Sequence, residues 1–148
     1  METVLEMTIE PLMNALKAMS PEVLSVMLDT LPIEFSVVDA DDNVLFWNQH
    51  GTRIFKRGPG VIGRNVRICH PKGSLDKVEK VVKYLKSGKG DHVAFWIDLP
   101  DGETTRKILI RYFAMRDSEG KYLGTLEASL NLTPLQKIEG ESRLADFE

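Results

Sequence analysis

Apolar residues recur at helical spacing in two segments near the N-terminus. The segment 9–19 carries Leu12, Leu16 and Met19 three or four positions apart, which predicts a short helix. The sequence Ser20-Pro21-Glu22 then supplies an N-cap, a proline at the first helical position and an acid in the first turn. The wide apolar face of 21–31 therefore predicts a second helix, which Pro32 ends.

A third helix is predicted in the middle of the chain, over 75–87. Ser74 is placed to cap its N-terminus, and Gly88 is placed to end it. One face of this helix is apolar, and it consists of Leu75, Val78, Val82 and Leu85.

The remaining apolar runs have the character of strands. Two of them, 35–38 and 44–47, flank an Asp/Asn cluster and predict a hairpin. Three more follow the third helix and are separated by turn sequences at 100–102 and 117–120. Thr133-Pro134-Leu135-Gln136 has the pattern of a capping box and predicts a C-terminal helix from about 134. Strands on both sides of a helical insert predict an α+β domain, with an antiparallel sheet and helices on one face.

The composition fits one globular domain of 148 residues. A single cysteine excludes an internal disulfide and a multi-cysteine zinc site. The sequence has neither a signal peptide nor a run of about 18 apolar residues, so we expect a cytoplasmic protein with no membrane partner.

The net charge of −3 hides a strongly basic segment. Residues 53–89 contain eleven Lys and Arg against two acids, a net charge of +9. Such a segment can meet an anionic ligand, an acidic partner or a nucleic acid, but it is also typical of a solvated helix face. Because no recognised DNA-reading motif is present, nucleic-acid binding is not expected.

Two motif matches fail on their context. Asp39, Asp41 and Asn43 have the spacing of a calcium loop, but Val44 and His50 occupy the positions that need glycine and glutamate. The sequence GPGVIG at 58–63 matches G-x-G-x-x-G, but it neither follows a buried strand nor opens a long helix, so we interpret its glycines as turns.

The sequence Ile68-Cys69-His70-Pro71 holds the only cysteine next to one of three histidines. Adjacent residues rarely bring an imidazole to a thiol with a third group to orient the ring, so no catalytic role is predicted. Cys69 is expected to be a buried apolar residue. His70 precedes the 75–87 helix and is the residue of this segment best placed to carry function.

This order of elements, with these residues, resembles a PAS domain over 31–132. The matching stretches are the opening hairpin FSVVDADDNVLFWNQHGTRIF, the turn VIGRNV and the final hairpin RYFAMRDSEGKYLGTLEASLNLTPLQK. More narrowly, LPIEFSVVD, VIGRNVRICHP and RYFAMRDSEGKYLGTLE are similar to the C-terminal PAS domain of some bacterial and archaeal hemerythrin-linked proteins of unknown function. The resemblance divides the chain into an N-terminal helical segment 1–30, a PAS domain 31–132 and a C-terminal signalling-type helix 133–148.

The resemblance implies a five-stranded sheet in the order 2-1-5-4-3 with helices packed on one face around a cavity. It also implies a non-catalytic sensory or interaction module that transmits small-molecule or redox signals through its flanking helices. A homodimer through the N-terminal helix is expected. The cysteine motif of flavin-based light sensors is absent, since His70 and Pro71 follow Cys69.

Three states of the cavity stay open at this point: it can hold a small organic ligand, hold haem, or be filled by its own side chains in a ligand-free dimerisation module. In the haem alternative His70 is the axial ligand and the only metal-binding residue, and arginines meet the propionates. The residues expected to bind this cofactor are His70, Arg64, Arg67 and Arg111. The residues expected to line the cavity are Phe35, Val37, Phe46, Val82, Leu85, Phe95, Ile97, Ile110, Tyr112 and Leu126. Trp47 and Trp96 are expected in the core or at a dimer contact.

Overall fold

The computed structural model describes residues 4–49, 51 and 53–144. Its helices are α1 (Val4–Ala18), α2 (Pro21–Thr30), α3 (Val66–Cys69) and α4 (Lys72–Lys86). Its strands are β1 (Glu34–Asp39), β2 (Val44–Trp47), β3 (His92–Asp101), β4 (Thr104–Arg116) and β5 (Tyr122–Asn131). None of the helices in the described part of the chain is long and apolar enough to cross a lipid bilayer.

All five strands form one sheet in the order β2-β1-β5-β4-β3, and each neighbouring pair is antiparallel. This confirms the predicted fold class and strand order. The β1–β2 turn is closed by the Asp39 carboxylate, whose Oδ1 accepts from the amides of Asp41 and Asn43, both at 2.9 Å. Asp42 takes a positive φ of 67° in this turn, a conformation that Asp tolerates better than most residues.

The helix that was predicted over 21–31 is confirmed as α2. The Ser20 hydroxyl accepts from the amide of Val23 at 3.2 Å, as the N-cap prediction requires. The helix before it, α1, begins at Val4 and runs through Pro11, so the predicted start at residue 9 was too late.

Helix α4 begins at Lys72, three residues before the predicted start. Pro71, with φ near −58°, occupies the N-cap position, and the helix follows it directly. Ser74 therefore lies inside the first turn, where its hydroxyl donates to the carbonyl of Pro71 at 3.1 Å, and the prediction of Ser74 as N-cap was wrong. The predicted end is confirmed, since Gly88 has a φ of 73°.

The C-terminal helix expected from about 134 does not form over the described residues. A single 3₁₀ turn, Leu135–Lys137, is followed by irregular chain, and 145–148 lie outside the described residues. The Thr133 hydroxyl does not act as a helix cap because it accepts from the amide of Lys107 at 2.8 Å, which binds the chain to the end of the sheet. Gly140 lies in the irregular chain after this turn and has a φ of 65°.

Helix α4 packs against β4 and β5, and this defines the inner face of the sheet. Leu85 of α4 and Ile108 of β4 are fully buried there. The register places Ser36, Glu127, Tyr112 and Val93 in one row across the inner face, and Glu34, Ser129, Ile110 and Phe95 in the next. Several of these residues are polar, so the inner face is a mixed surface beneath the helices.

Candidate functional site

A cleft of about 1020 Å³ lies between helix α4 and the inner face of strands β3 and β4. Its walls are mainly apolar and aromatic side chains of the helix and of the two strands. The lining residues are Phe55, Arg57, Cys69, His70, Pro71, Ser74, Lys77, Val78, Lys80, Val81, Tyr84, His92, Val93, Phe95, Ile97, Ile110, Tyr112 and Glu127. An apolar concavity of this size with a few polar groups is the usual form of a small-molecule site.

Four polar side chains gather at the floor of the cleft: Arg57, His70, Tyr112 and Glu127. The Arg57 guanidinium lies 3.8 Å from the Glu127 carboxylate, and the two side chains are only 19% and 17% exposed. This is an ion pair without a close hydrogen bond, since charge-assisted bonds are about 2.7–2.9 Å long. Arg57 forms no hydrogen bond to any described residue, so its donors are free to meet a ligand.

Burial dominates the electrostatics of the floor. It raises the pKa of Glu127, and the neighbouring Arg57 and Arg53 only partly oppose this. It also raises the pKa of Tyr112, and the nearby charge of Glu127 adds to this, so this phenol is neutral. For His70, burial and then the nearby charge of Arg57 lower the pKa, which favours the neutral imidazole. Burial thus favours the neutral form of Glu127, Tyr112 and His70.

A second, much smaller cavity of about 30 Å³ lies beyond the floor, towards β1 and β5. It has room for about one water molecule, which would find polar partners there. The residues that line both cavities are Arg57, Cys69, His70, Val78, Tyr112 and Glu127. The polar floor therefore separates the open cleft from a small inner pocket.

The segment that carries Arg57 is anchored by buried hydrogen bonds. Glu34, which is almost fully buried, accepts from the amides of Ile54 and Phe55. Arg53 donates to the carbonyl of Asn48 at 2.8 Å and to the Ser36 hydroxyl at 2.9 Å. These contacts hold 53–57 against β1, and they bring Phe55 and Arg57 to the cleft.

The opposite wall is anchored through Asp42 in the β1–β2 turn. Its carboxylate, only 3% exposed, accepts from Arg67 at 3.1 Å and from Lys86 at 2.9 Å. The side chain of Asn65 caps α3 by accepting from the amide of Arg67, and its amide donates to the carbonyl of Asp41 at 3.2 Å. Helices α3 and α4, which carry His70 and the apolar wall, are thus tied to the first hairpin.

Four of the ten predicted cavity residues line the cleft: Phe95, Ile97, Ile110 and Tyr112. Val82 lines the smaller inner pocket, and Leu85 is buried against the sheet without lining either space. The placement of the other four in the cavity was wrong, because the register puts them on the outer face of the sheet. These four are Phe35, Val37, Phe46 and Leu126.

Of the four residues expected to bind a cofactor, only His70 lines the cleft. Arg67 is held by Asp42 and Glu79, and Arg64 is exposed on the turn before α3. Arg111 lies on the outer face, with its guanidinium 5.7 Å from the ring of Phe113. The predicted propionate contacts of Arg64, Arg67 and Arg111 in the cleft were therefore wrong.

Several residues that line the cleft were not predicted from the sequence. Arg57 and Glu127 form the charged floor, and Lys77 and Lys80 lie along the helical wall. The basic segment 53–89 was the available signal for the three cations, although it did not single out these members. Cys69 was expected to be buried, but it is half-exposed and lines the cleft, with its thiol directed to the carbonyl of Asn65.

Metal-binding clusters are not evident in the part of the chain that the structure describes. No three His, Cys, Asp or Glu side chains of these residues are grouped so that they could hold an ion. The turn at 39–43, whose spacing resembles that of a calcium loop, uses its carboxylates for its own amides and for ion pairs with Arg67 and Lys86.

The chain matches a family model described as a PAS domain over residues 24–133. It is 33% identical to the C-terminal domain of a Streptococcus mutans protein, with a TM-score of 0.73, and the match covers 82% of this chain and 91% of that one. The chain therefore belongs to the PAS family. Domains of this family are generally sensory modules of signalling proteins, and the chain is a sensory module.

More distant structures share the fold. A PAS domain from Colwellia psychrerythraea is 15% identical, with a TM-score of 0.55, over 76% of this chain and 97% of that one. The VqmA dimer of Vibrio cholerae is 21% identical, with a TM-score of 0.55, over 85% of this chain and 58% of that one. No curated protein sequence matches the chain. The narrower similarity to hemerythrin-linked proteins stays a prediction.

Proposed function

We propose that this PAS domain binds a small organic molecule in the cleft and passes the signal to its N-terminal helices. The observation that carries the proposal is the cleft itself, about 1020 Å³ with apolar walls and a polar floor. A domain whose core was filled by its own side chains would leave no such space, because protein interiors are close-packed. The ligand-free alternative is therefore less well supported.

A continuous set of contacts supports the route of the signal. Helix α4 forms one wall of the cleft and is tied to the first hairpin through Lys86 and Asp42. The hairpin is tied to α2 through Asn48, whose amide donates to the carbonyls of Leu28 and Ile33 at 3.1 and 2.8 Å. A ligand that moves α4 relative to the sheet would therefore act on the end of α2.

Native mass spectrometry of the protein purified from cells tests the binding proposal. We expect a retained small molecule, which a cleft-filling Val81→Trp variant should lose, because Val81 lines the cleft. Val26→Trp, at a residue of α2 that is 59% exposed, is the matched control and should retain the molecule. Where no molecule is retained, the purified protein is screened with small aromatic compounds, and binding that Val81→Trp leaves unchanged would refute the proposal.

We also propose that the protein forms a homodimer through α1 and α2. Both helices leave large apolar side chains in solvent, among them Leu12 (65% exposed), Leu16, Val23 and Val26. A second copy of the same pair of helices would cover this surface by self-complementary packing. The dimer of VqmA is a fold-level parallel.

Light scattering on size-separated protein tests the dimer. The double variant Leu12→Glu and Leu16→Glu places charges in the apolar surface and should be monomeric. Ile68→Glu, at a residue that is 72% exposed on α3, is the control and should remain a dimer. A dimer that persists in the double variant would move the interface to another surface, such as the exposed Trp96 on β3.

Haem binding is the second candidate, because His70 presents a neutral imidazole to an apolar cleft and forms no hydrogen bond to a described residue. His70 would hold the iron, while Arg57, Lys77 and Lys80 could meet the propionates, and bound haem would supply gas or redox chemistry. A Soret band on reconstitution that is lost in His70→Ala and kept in the control Arg64→Leu, at an exposed residue outside the cleft, would support this candidate. Protein that stays colourless after reconstitution would exclude it.

A further inference from the structure

We infer that the cleft is selective for an organic anion, a molecule with an apolar body and one carboxylate. This inference rests on the proposed small-molecule function and names the chemical class of its ligand. The carboxylate would lie at the floor on Arg57, and the apolar body would lie between α4 and the strands.

The first support is the state of Arg57. Its guanidinium is largely buried, is 3.8 Å from Glu127 and donates no hydrogen bond to a described residue. Arginine has five N–H donors in a planar fork that matches a carboxylate. Because these donors bond no described residue, a ligand carboxylate in the cleft can accept from them.

The second support is the charge along the walls. Among the lining residues, Arg57, Lys77 and Lys80 are cationic, whereas Glu127 is the only acid. The two lysines are on the exposed side of α4, so each alone contributes little, but together they make the potential in the cleft positive. This potential favours entry of an anion over a cation of the same shape.

The third support is the behaviour expected of Glu127, which faces the same space. It is surrounded by Arg57 and Arg53 from the segment after β2, by Glu34 of β1 and by Tyr112 of β4. Its burial already favours the neutral acid, and a ligand carboxylate beside it would favour this form further. A neutral Glu127 no longer neutralises Arg57, and it can donate a hydrogen bond to the ligand. Where Glu127 is ionised in the free protein, binding of the anion should therefore be coupled to proton uptake.

Adjacent positive and negative groups could instead recognise a neutral amide, which presents an acceptor beside a donor. The two arrangements predict opposite effects of Glu127→Gln. For a carboxylate ligand the variant removes a repelling charge, so binding should tighten at pH 8. For an amide ligand it removes the favoured acceptor, so binding should weaken.

Calorimetric titration with three compounds that share one naphthalene body tests the inference: naphthalene-2-carboxylate, 2-naphthamide and 2-naphthylmethylammonium. We expect the carboxylate to bind about tenfold more tightly than the amide, in line with a charge-assisted hydrogen bond. Arg57→Leu should abolish this preference, and Arg64→Leu, an exposed arginine outside the cleft, should keep it. Over the pH range in which Glu127 ionises in the free protein, affinity for the carboxylate should fall as the pH rises, and it should stay level in Glu127→Gln.

Equal or tighter binding of the amide would overturn the inference and leave the small-molecule function standing. The same holds for a carboxylate preference that survives in Arg57→Leu. If none of the three compounds binds the native protein, and none of a wider set of aromatic acids and amides binds either, the inference and the proposed function both fail.

Discussion

Replacing Asn48 with alanine should destabilise the domain more than any other single change of a polar side chain at the first hairpin. Asn48 is fully buried, and its side chain bonds three backbone groups. Its Oδ1 accepts from the amide of Phe35 at 2.8 Å, and its amide donates to the carbonyls of Ile33 and Leu28 at 2.8 and 3.1 Å. These bonds join α2, the α2–β1 connection and the first hairpin at one point.

The expected magnitude depends on the partners that the variant would leave unpaired. Each buried backbone group without a partner costs about 1–3 kcal/mol. The amide of Phe35 is buried, whereas the bonds to the carbonyls of Leu28 and Ile33 are only partly buried. One full loss and two partial losses give a reduction in the free energy of unfolding of about 2–5 kcal/mol.

Urea denaturation followed by circular dichroism measures this loss. A change of about 3 kcal/mol should lower the midpoint by about 1–3 M urea. Asn14→Ala, at an exposed position of α1, is the matched control and should stay within about 0.5 kcal/mol of the native protein. A loss below about 1 kcal/mol in Asn48→Ala would refute the assignment of Asn48 as the residue that joins α2 to the sheet.

Three further changes test other parts of the structure. Gly124→Ala should cost about 1–3 kcal/mol or more, because a Cβ there would clash with the carbonyl oxygen of Val38, whereas Gly58→Ala meets open space and should be nearly neutral in the same melts. Glu127→Gln should raise the free energy of unfolding, because burial raises the pKa of this carboxyl in the folded state. The gain should be absent below about pH 4.5 and should grow as the pH rises. A stability difference that shrinks with rising pH would contradict the assignment. Asp42→Asn keeps a residue that tolerates a positive φ but removes the charge that holds α3 and α4, so hydrogen exchange should quicken in both helices; unchanged exchange would count against this tie.

The elements that could be predicted from the sequence are those set by local chemistry. Ser20-Pro21-Glu22 fixes the start of α2 through a cap and a permitted proline, and the turn residues at 39–43, 100–102 and 117–120 fix three hairpins. The strand order could not be derived from these signals, because pairing of β1 with β5 joins distant parts of the chain. It came from the resemblance to PAS domains.

The residues that line the cleft could be predicted only in part. Apolar side chains usually face the interior, but on β1 and β5 polar side chains occupy the inner face. The inner positions of these strands carry Glu34, Ser36 and Glu127, while the apolar Phe35 and Val37 alternate with them on the outer face. A one-residue change of register moves every side chain to the other face, so choosing the apolar members selected the wrong face. The alternation of polar and apolar residues along these strands was the signal that polar side chains line the cavity.

The C-terminal helix failed for a comparable reason. A capping-box pattern describes what a threonine can do locally, but Thr133 has a competing partner in the amide of Lys107 on β4. That tertiary bond extends the sheet and leaves the following turn without its cap. Arg57 was missed because no local pattern shows that an irregular segment will be folded against a sheet by Glu34 and Arg53.

The most direct test of the central claim is where a bound molecule lies. Protein with labelled Ile, Leu and Val methyl groups is mixed with naphthalene-2-carboxylate, and intermolecular nuclear Overhauser effects are recorded. The account predicts contacts from the naphthalene protons to the methyls of Ile97, Ile110 and Val81, which line the cleft. Contacts confined to exposed residues of α1 and α2, such as Leu12 or Val26, would contradict it.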